Sequence, residues 1–434
     1  MPTQHDNLFG QIANFPALHE AWRKAVRGKR RKPGAAAFTA GLETQLIRLQ
    51  RELGDRTWKS GRFITIEVRD PKHRLVSAAP FRDRVVHHAL CAVIAPLFER
   101  GFIDHSYANR AEKGTHRAVA QYERWRDRYR YVLRCDIYRF FPAIDHAVLK
   151  ADFRRRIACP ETLWLLDAVV DGSNKQEPVN IHYPGDTLFT PLQRRRGLPI
   201  GNLTRQFFAN VFLDGLDHFA TEVLRAPYLR YVDDFALFHD DPAVLAEWRD
   251  RIGVWLARRR LSLHPGKTAI QHTAHPAAFL GYVLLPDGRR LPEENVRRFR
   301  NRLRGFRDRW QARRVEAADI QVRVGAWIAH ASHANTWRLR RSIFRGGWFD
   351  PTRWVPAARR PGCPPAGVRC AAGPGTTIQG TSAPATATGT TPAIGTQTPV
   401  SAWPARLHAR VGRITIRPSV PRVRSGTAMM NGVV

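Results

Sequence analysis

The stretch "LRYVDDFALF", residues 229–238, places Asp233 and Asp234 side by side inside an apolar run. A buried charge without a partner is strongly unfavourable, and adjacent like charges repel each other. The flanking residues read as two short strands joined at the acids. Such a tip is either left to water as a solvated turn or compensated by a cation. Mg2+ suits the second case, because it is hard, prefers oxygen ligands and often uses one or two carboxylates together with substrate phosphates. Two such ions, about 3.5–4 Å apart, stabilise the attacking and leaving oxygens of a phosphoryl transfer. That chemistry needs a third carboxylate. Asp136 closes another short apolar strand, "YVLRCDI" (131–137), although a strand-end acid also serves as a helix cap or a surface charge. Asp240 and Asp241, a few residues on, read as an ordinary solvated turn.

The charge balance bears on partners. Of 434 residues, 70 are Lys or Arg and 37 are Asp or Glu, a formal net charge of +33. So basic a chain suits nucleic acid, since neutralising phosphates releases counterions. An anionic membrane surface is the rival, yet no stretch approaches the roughly 18 apolar residues of a spanning helix. The start, "MPTQHDNLFGQIANF", lacks the basic and long apolar stretches of a signal peptide. Cys91, Cys135, Cys159, Cys363 and Cys370 form no C-x-x-C pair, which argues against a structural zinc site and a disulfide framework. A cytoplasmic location is expected.

Periodicity divides the chain. Residues 1–60 read as helices, with apolar residues three and four apart. "GRFITIEVRD" (61–70) alternates like a strand, and 81–100, 147–170, 202–224 and 242–260 read as helices. "FLGYVLL" (279–285) reads as a strand before the turn Pro286-Asp287-Gly288. Interleaved strands and helices over 61–285 predict an α+β domain. Residues 289–345 are helical in pattern and hold sixteen Arg, no Lys and five acids. After about Phe349 comes "GPGTTIQGTSAPATATGTTPAIGTQTP", too poor in large apolar residues to order itself.

Five further segments stand in order around the paired aspartates, and the six together resemble the reverse transcriptase family. "RYVDDFALF" resembles its Y-x-D-D motif, and "RCDIYRFFPAID" (134–145) resembles the motif carrying the first metal-binding Asp. "RGLPIGNLTRQFFANVFLDGLDHF" (196–219) resembles the turn and helix that contact template and nucleotide. "LSLHPGKT" (261–268), "FLGY" (279–282) and "DPKHRLVSAAPFRDRVVHHAL" (70–90) are similar to the lysine motif, the primer-grip hairpin and the fingers segment. The resemblance, over about residues 8–345, implies a right-hand polymerase fold. N-terminal helices and fingers take 1–125, a palm with an antiparallel sheet and a finger insertion takes 126–288, and a basic helical thumb takes 289–345. A disordered C-terminal tail takes 346–434. It also implies site residues. Asp136, Asp233 and Asp234 would hold two Mg2+ ions, with Mn2+ a possible substitute. Lys267 would donate a proton to the leaving pyrophosphate. Lys72, Arg74 and Arg82 or Arg84 would contact the triphosphate. Phe141 would be the gate against a 2′-hydroxyl, with Ile200, Gly197 and Gly201 at the template and nucleotide. Template RNA, primer, complementary DNA and deoxynucleotides would be the partners.

Within the family, "IGNLTRQ" resembles the I-G-x-x-x-S-Q form of diversity-generating retroelement enzymes rather than Q-G-x-x-x-S-P. That branch implies adenine-directed errors and a small basic accessory protein. Arg205 departs from its usual Ser. Two alternatives stay open: a defence-associated or retron-like reverse transcriptase, and an inactive RNA-binding protein on a polymerase scaffold. Deleting residues 350–434 is expected to leave polymerisation largely intact and the cooperative melt of the remainder unchanged, as followed by circular dichroism. A truncated chain that no longer melts cooperatively would show that this segment packs on the core.

Overall fold

Apolar residues three and four apart build the N-terminal helices. The computed structural model describes residues 4–68, 74–173, 179, 181–199 and 203–345, so the expected tail, 346–434, lies outside the described residues. Helix Phe15–Val26 buries Leu18, Ala21 and Ala25, and helix Leu42–Gly54 buries Leu46, Leu49 and Leu53. Asn14 caps the first of these, its side chain accepting from Ala17 N at 2.8 Å. Both helices share a core with helix Phe81–Glu99, which buries Val85, Val86, Leu90 and Ile94. Ahead of that helix, β1 (Ile64–Val68) and β2 (Arg74–Ala78) form an antiparallel hairpin. Buried Asp83 secures its approach, accepting from Gly61 N at 2.7 Å and Ser60 Oγ at 3.2 Å.

The central sheet has β3 (Tyr131–Asp136), β4 (Tyr228–Tyr231), β5 (Asp234–His239) and β6 (Ala269–His272), in the order β4-β5-β3-β6 with every pairing antiparallel. Successive side chains on a strand face opposite ways. Leu133, Cys135, Phe235 and Leu237 accordingly enter one core, with helices Leu203–His218 and Pro242–Arg258. Val132, Ala236 and Phe238 enter a second, with Ala118, Val119 and Tyr122 of helix Thr115–Arg126. Burial on both faces explains why β5 reads as a continuous apolar run. The α+β arrangement with an antiparallel sheet is thus the one observed.

Local differences from the sequence reading have physical causes. The single strand read over "FLGYVLL" is a hairpin, as the resemblance of "FLGY" implies, of β7 (Ala277–Phe279) and β8 (Tyr282–Leu285), because Leu280 and Gly281 both take positive φ (+47° and +87°) in a two-residue turn. β9 (Gly288–Arg290) extends it. The helix expected over 147–170 is two helices, His146–Arg154 and Pro160–Asp171, since Pro160 suits a helix start better than its interior. Asp240 and Asp241 are not merely solvated. Asp241 caps helix Pro242–Arg258 through Ala243 N, and Asp240 accepts from Arg130 N. Strand β6 had no distinct sequence signal, being short and only half-buried. Helices Glu293–Gln311, Ala317–Ala331 and Trp337–Phe344 follow, with Phe299, Leu303 and Phe306 packed on Ile320 and Val324, and the Phe299 and Trp327 rings stacked at 3.8 Å. Arg297, Arg300, Arg304 and Arg307 are exposed.

One ion pair lies wholly inside. Arg230 of β4 and Asp217 of helix Leu203–His218 are both 0% exposed. Arg230 Nε and Nη2 each donate to an Asp217 oxygen at 2.6 Å. Its Nη1 also donates to Asn210 Oδ1 (3.2 Å) and to the Val232 carbonyl (3.0 Å), and Nη2 to Ser106 Oγ (3.1 Å). The Tyr228 hydroxyl donates to Asp217 at 2.8 Å. Breaking such a pair from one side leaves a bare buried charge. Arg230→Met or Asp217→Leu is therefore expected to lower unfolding stability by about 3–5 kcal/mol each in urea melts. The double variant should recover a good part of that loss; strictly additive losses would show that the two residues do not act as a pair.

Candidate active site

β4 and β5 are in register with Tyr231 opposite Asp234, which leaves Val232 and Asp233 as a two-residue turn. Val232 sits at φ +61°. That region is strained for a β-branched side chain. The strain is held by the Arg230 guanidinium on the Val232 carbonyl. The turn carries Asp233 at its tip and Asp234 as the first residue of β5. On the neighbouring strand, Asp136 stands directly opposite Asp234. β3 thus pairs with the aspartate hairpin, and the three carboxylates come together.

Their electrostatics are those of crowded acids. Asp233 is raised above the usual carboxylate range by burial and by Asp136, with Arg205 and Lys267 opposing. Asp234 is pushed up to about 7 by loss of surrounding water, by Asp233 and Asp136, and by a hydrogen bond with Asp136. Lys267 supplies a counter-charge, its Nζ lying 2.6 Å from Asp136 Oδ2. The loop carrying it follows the end of β3. His264 N donates to the Asp136 carbonyl at 2.7 Å, and Tyr138 N donates to the Ser262 carbonyl at 2.9 Å. Among the described residues, no three His, Cys, Asp or Glu are already arranged as a metal-binding group. The three carboxylates form an oxygen-only donor set that a hard divalent ion could fit, relieving their mutual repulsion as Lys267 now does for Asp136.

Phe141 lies in the short helix Phe140–Ala143 just beyond β3, half-buried against the core. The 196–198 segment runs alongside. Gly197 N donates to the Ile144 carbonyl at 2.8 Å, and Leu198 N donates to the Phe141 carbonyl at 3.0 Å. Gly197 has φ +93°, a conformation that favours glycine. The Arg205 guanidinium lies over the Phe141 ring, 3.3 Å from its centroid. Lys72, Ile200 and Gly201 lie outside the described residues, as does the Arg74 side chain; the Arg74 backbone pairs with Val68. Arg82 is bonded to Glu52 of the N-terminal helices, and Arg84 Nε donates to the Ala79 carbonyl at 2.9 Å. The sequence reading missed the Arg230–Asp217 support, for which an Arg inside the apolar run just before the acids was the available signal.

Residues 66–284 match the family model described as Reverse transcriptase (RNA-dependent DNA polymerase). The chain belongs to the reverse transcriptase family. Asp136, Phe141, Arg205, Asp233, Asp234 and Lys267 all fall inside the matched span. Among curated proteins, this reverse transcriptase is 23% identical over 309 residues to "Protein YkfC" of Escherichia coli (strain K12), covering 59% of this chain and 77% of that one. Two solved telomerases also match. That of Candida albicans, in complex with a TWJ fragment of telomeric RNA, is 13% identical at a TM-score of 0.34, over 51% of this chain and 45% of that one. The apo telomerase of Candida tropicalis, truncated from its C-terminal domain, is 12% identical at 0.37, over 54% and 55%. The chain thus spans about half the length of these two solved structures.

The raised acids fix the sign of a pH effect. Asp234 binds a proton in the folded state up to about pH 7 but in the unfolded chain only up to the ordinary carboxylate range near 3.8. The folded state therefore holds more protons between those values, and stability falls as pH rises through that window. Asp234→Asn is expected to be more stable than the wild type at pH 8 in metal-free buffer, with the gap closing towards pH 4. A gap independent of pH, measured by thermal melts, would contradict this assignment.

Proposed function

We propose that this chain is an RNA-directed DNA polymerase of a diversity-generating retroelement, copying a template RNA into mutagenised complementary DNA. The observation that carries the polymerase part is the register of β3 against β5, which sets Asp136 opposite Asp234 with Asp233 on the adjoining strained turn. Asp136, Asp233 and Asp234 would hold two Mg2+ ions. Bound there, the ions would make the primer 3′-hydroxyl more acidic and neutralise the triphosphate.

The chain's own groups do the rest. The Arg230 guanidinium keeps the turn from relaxing, so the Asp233 carboxylate is presented without reorganisation. Lys267 holds Asp136 in place through a charge-assisted bond and is the nearby proton donor for a leaving group. Phe141 sets the floor against a 2′-hydroxyl. The exposed arginines of helix Glu293–Gln311 suit phosphate contacts that position a duplex without reading its sequence. Template RNA, primer and deoxynucleotides are then the substrates. A small basic accessory protein would associate through shared RNA, because two cationic proteins repel directly. No helix among the described residues is long and apolar enough to cross a membrane. Cys91, Cys135 and Cys159 are buried free thiols that suit the reducing cytoplasm.

The branch reading rests on Ile200 in "LPIGNLTRQ", where other branches carry Gln. Ile offers neither donor nor acceptor to the template or sugar. Asp136→Ala and Asp233→Ala are each expected to abolish primer extension on an RNA template while RNA binding survives; near wild-type extension by either would remove the metal assignment. Complementary DNA made on one defined RNA should carry more errors opposite adenine than opposite the other bases, with Ile200→Gln reducing the excess. Equal error rates at all four bases would sink the retroelement branch alone.

A further inference from the structure

Arg205 is the one place where the motif-bearing turn departs from the resembled pattern, and its position gives it work that a serine does not do. It lies in the first turn of helix Leu203–His218, beside buried Thr204. From there its guanidinium carbon comes within 3.3 Å of the Phe141 ring centroid. It covers one face of the ring. The Phe140 ring lies 5.0 Å from that of Phe141, tilted by 54°, and Leu198 N holds the Phe141 carbonyl. The backbone of Phe141 is therefore tied, and the freedom left is rotation of a half-buried ring. A planar cation centred over an aromatic face opposes that rotation by electrostatic attraction and by filling the space the ring would enter.

We infer that Arg205 is a positioning residue for nucleotide selection, bracing the Phe141 ring so that it refuses the 2′-hydroxyl of a ribonucleoside triphosphate. This rests on the polymerase reading and on Phe141 as its gate. A gate discriminates only as well as it resists displacement. Without the brace, the ring gives way to the extra hydroxyl, while the deoxy substrate, which never pressed on it, is little affected. Arg205 thus acts on the ratio of the two substrates, chiefly through the rate of the ribonucleotide.

The test is single-nucleotide insertion on a primed RNA template, comparing kcat/KM for a deoxynucleotide with that for its ribo counterpart. Taking the ratio within each variant cancels changes in overall rate. Arg205→Ser is expected to lower the ratio about tenfold, in keeping with the strength of a cation–aromatic contact. Arg205→Lys, which keeps the charge but not the planar group, should fall between the two. In a Phe141→Val background, Arg205→Ser should lower the ratio no further, because the brace then has nothing to hold. A wild-type ratio in Arg205→Ser overturns the inference and leaves the polymerase reading standing. So does an equal fall in both backgrounds, or full rescue by Arg205→Lys, which would assign the effect to charge near Asp233. If Arg205→Ser fails to melt cooperatively, Arg205→Lys and Arg205→Gln carry the same comparison. A wild-type protein that extends no primer overturns this inference and the polymerase reading together.

Discussion

A fully buried guanidinium–carboxylate pair, Arg230 with Asp217, is the interaction on which the site depends. Taking both charges out of water is expensive, and the geometry must compensate for each lost water contact. It does so by joining otherwise separate parts of the chain. Asp217 and Asn210 come from helix Leu203–His218, Ser106 from the loop before helix Thr115–Arg126, and Val232 from the turn itself. The backbone of Arg230 is bonded on both sides as well, from Arg230 N to the His105 carbonyl at 3.0 Å and from Tyr107 N to the Arg230 carbonyl at 2.9 Å. A hydrophobic residue of similar volume would fill this space with less desolvation. It would offer nothing to the Val232 carbonyl, and the positive φ of Val232 would have no fixed partner.

The second constraint works against the first. Three carboxylates on neighbouring strands destabilise the sheet at the point where the Arg230 network stabilises it. Lys267 pairs directly with Asp136 and only partly offsets Asp233 and Asp234, and Asp234 answers by keeping its proton up to about pH 7. On the proposed reading, a bound cation would relieve that repulsion. Here the conflict is spread over a shifted proton, a lysine on a loop and a turn held by its neighbour. Such local conflicts with good packing mark functional sites, because evolution retains them only where the chemistry needs them.

How much of this was legible in the sequence follows from the same physics. The paired aspartates in an apolar run, and Asp136 at the end of "YVLRCDI", were readable because unpartnered charge in a strand is a conflict that demands an explanation. The N-terminal helices were readable from periodicity alone. The hairpin at "FLGY" turns on a leucine at positive φ, which no propensity favours, so only the family resemblance pointed to it, and β6 is a short strand made by pairing with β3 rather than by its own residues. Arg82 illustrates the limit for single cations. In a chain with 70 Lys and Arg, only tertiary placement shows that this one meets Glu52. Arg230 lies inside the motif, yet a lone Arg in an apolar run becomes informative only once Asp217 is brought to it through the fold.

A division of labour follows from how charge is distributed. Among the described residues, helix Glu293–Gln311 turns exposed arginines, Arg297, Arg300, Arg304 and Arg307 among them, to the surface of a chain with a net charge of +33. Contacts of that kind are numerous, interchangeable and screened by salt, so they hold a polyanion without distinguishing one nucleotide from another. Discrimination requires the opposite: few groups, fixed by their neighbours, whose displacement costs energy. The segment from Asp136 to Ile144 has that character. It is bonded to the 197–198 backbone, and within it the Phe141 ring packs against Phe140 and is covered by the guanidinium of Arg205. One arginine there is not equivalent to the many outside. An exposed arginine acts through its charge and can be exchanged for lysine, whereas one laid over a ring acts through its plane, and its replacement changes how the Phe141 ring is held.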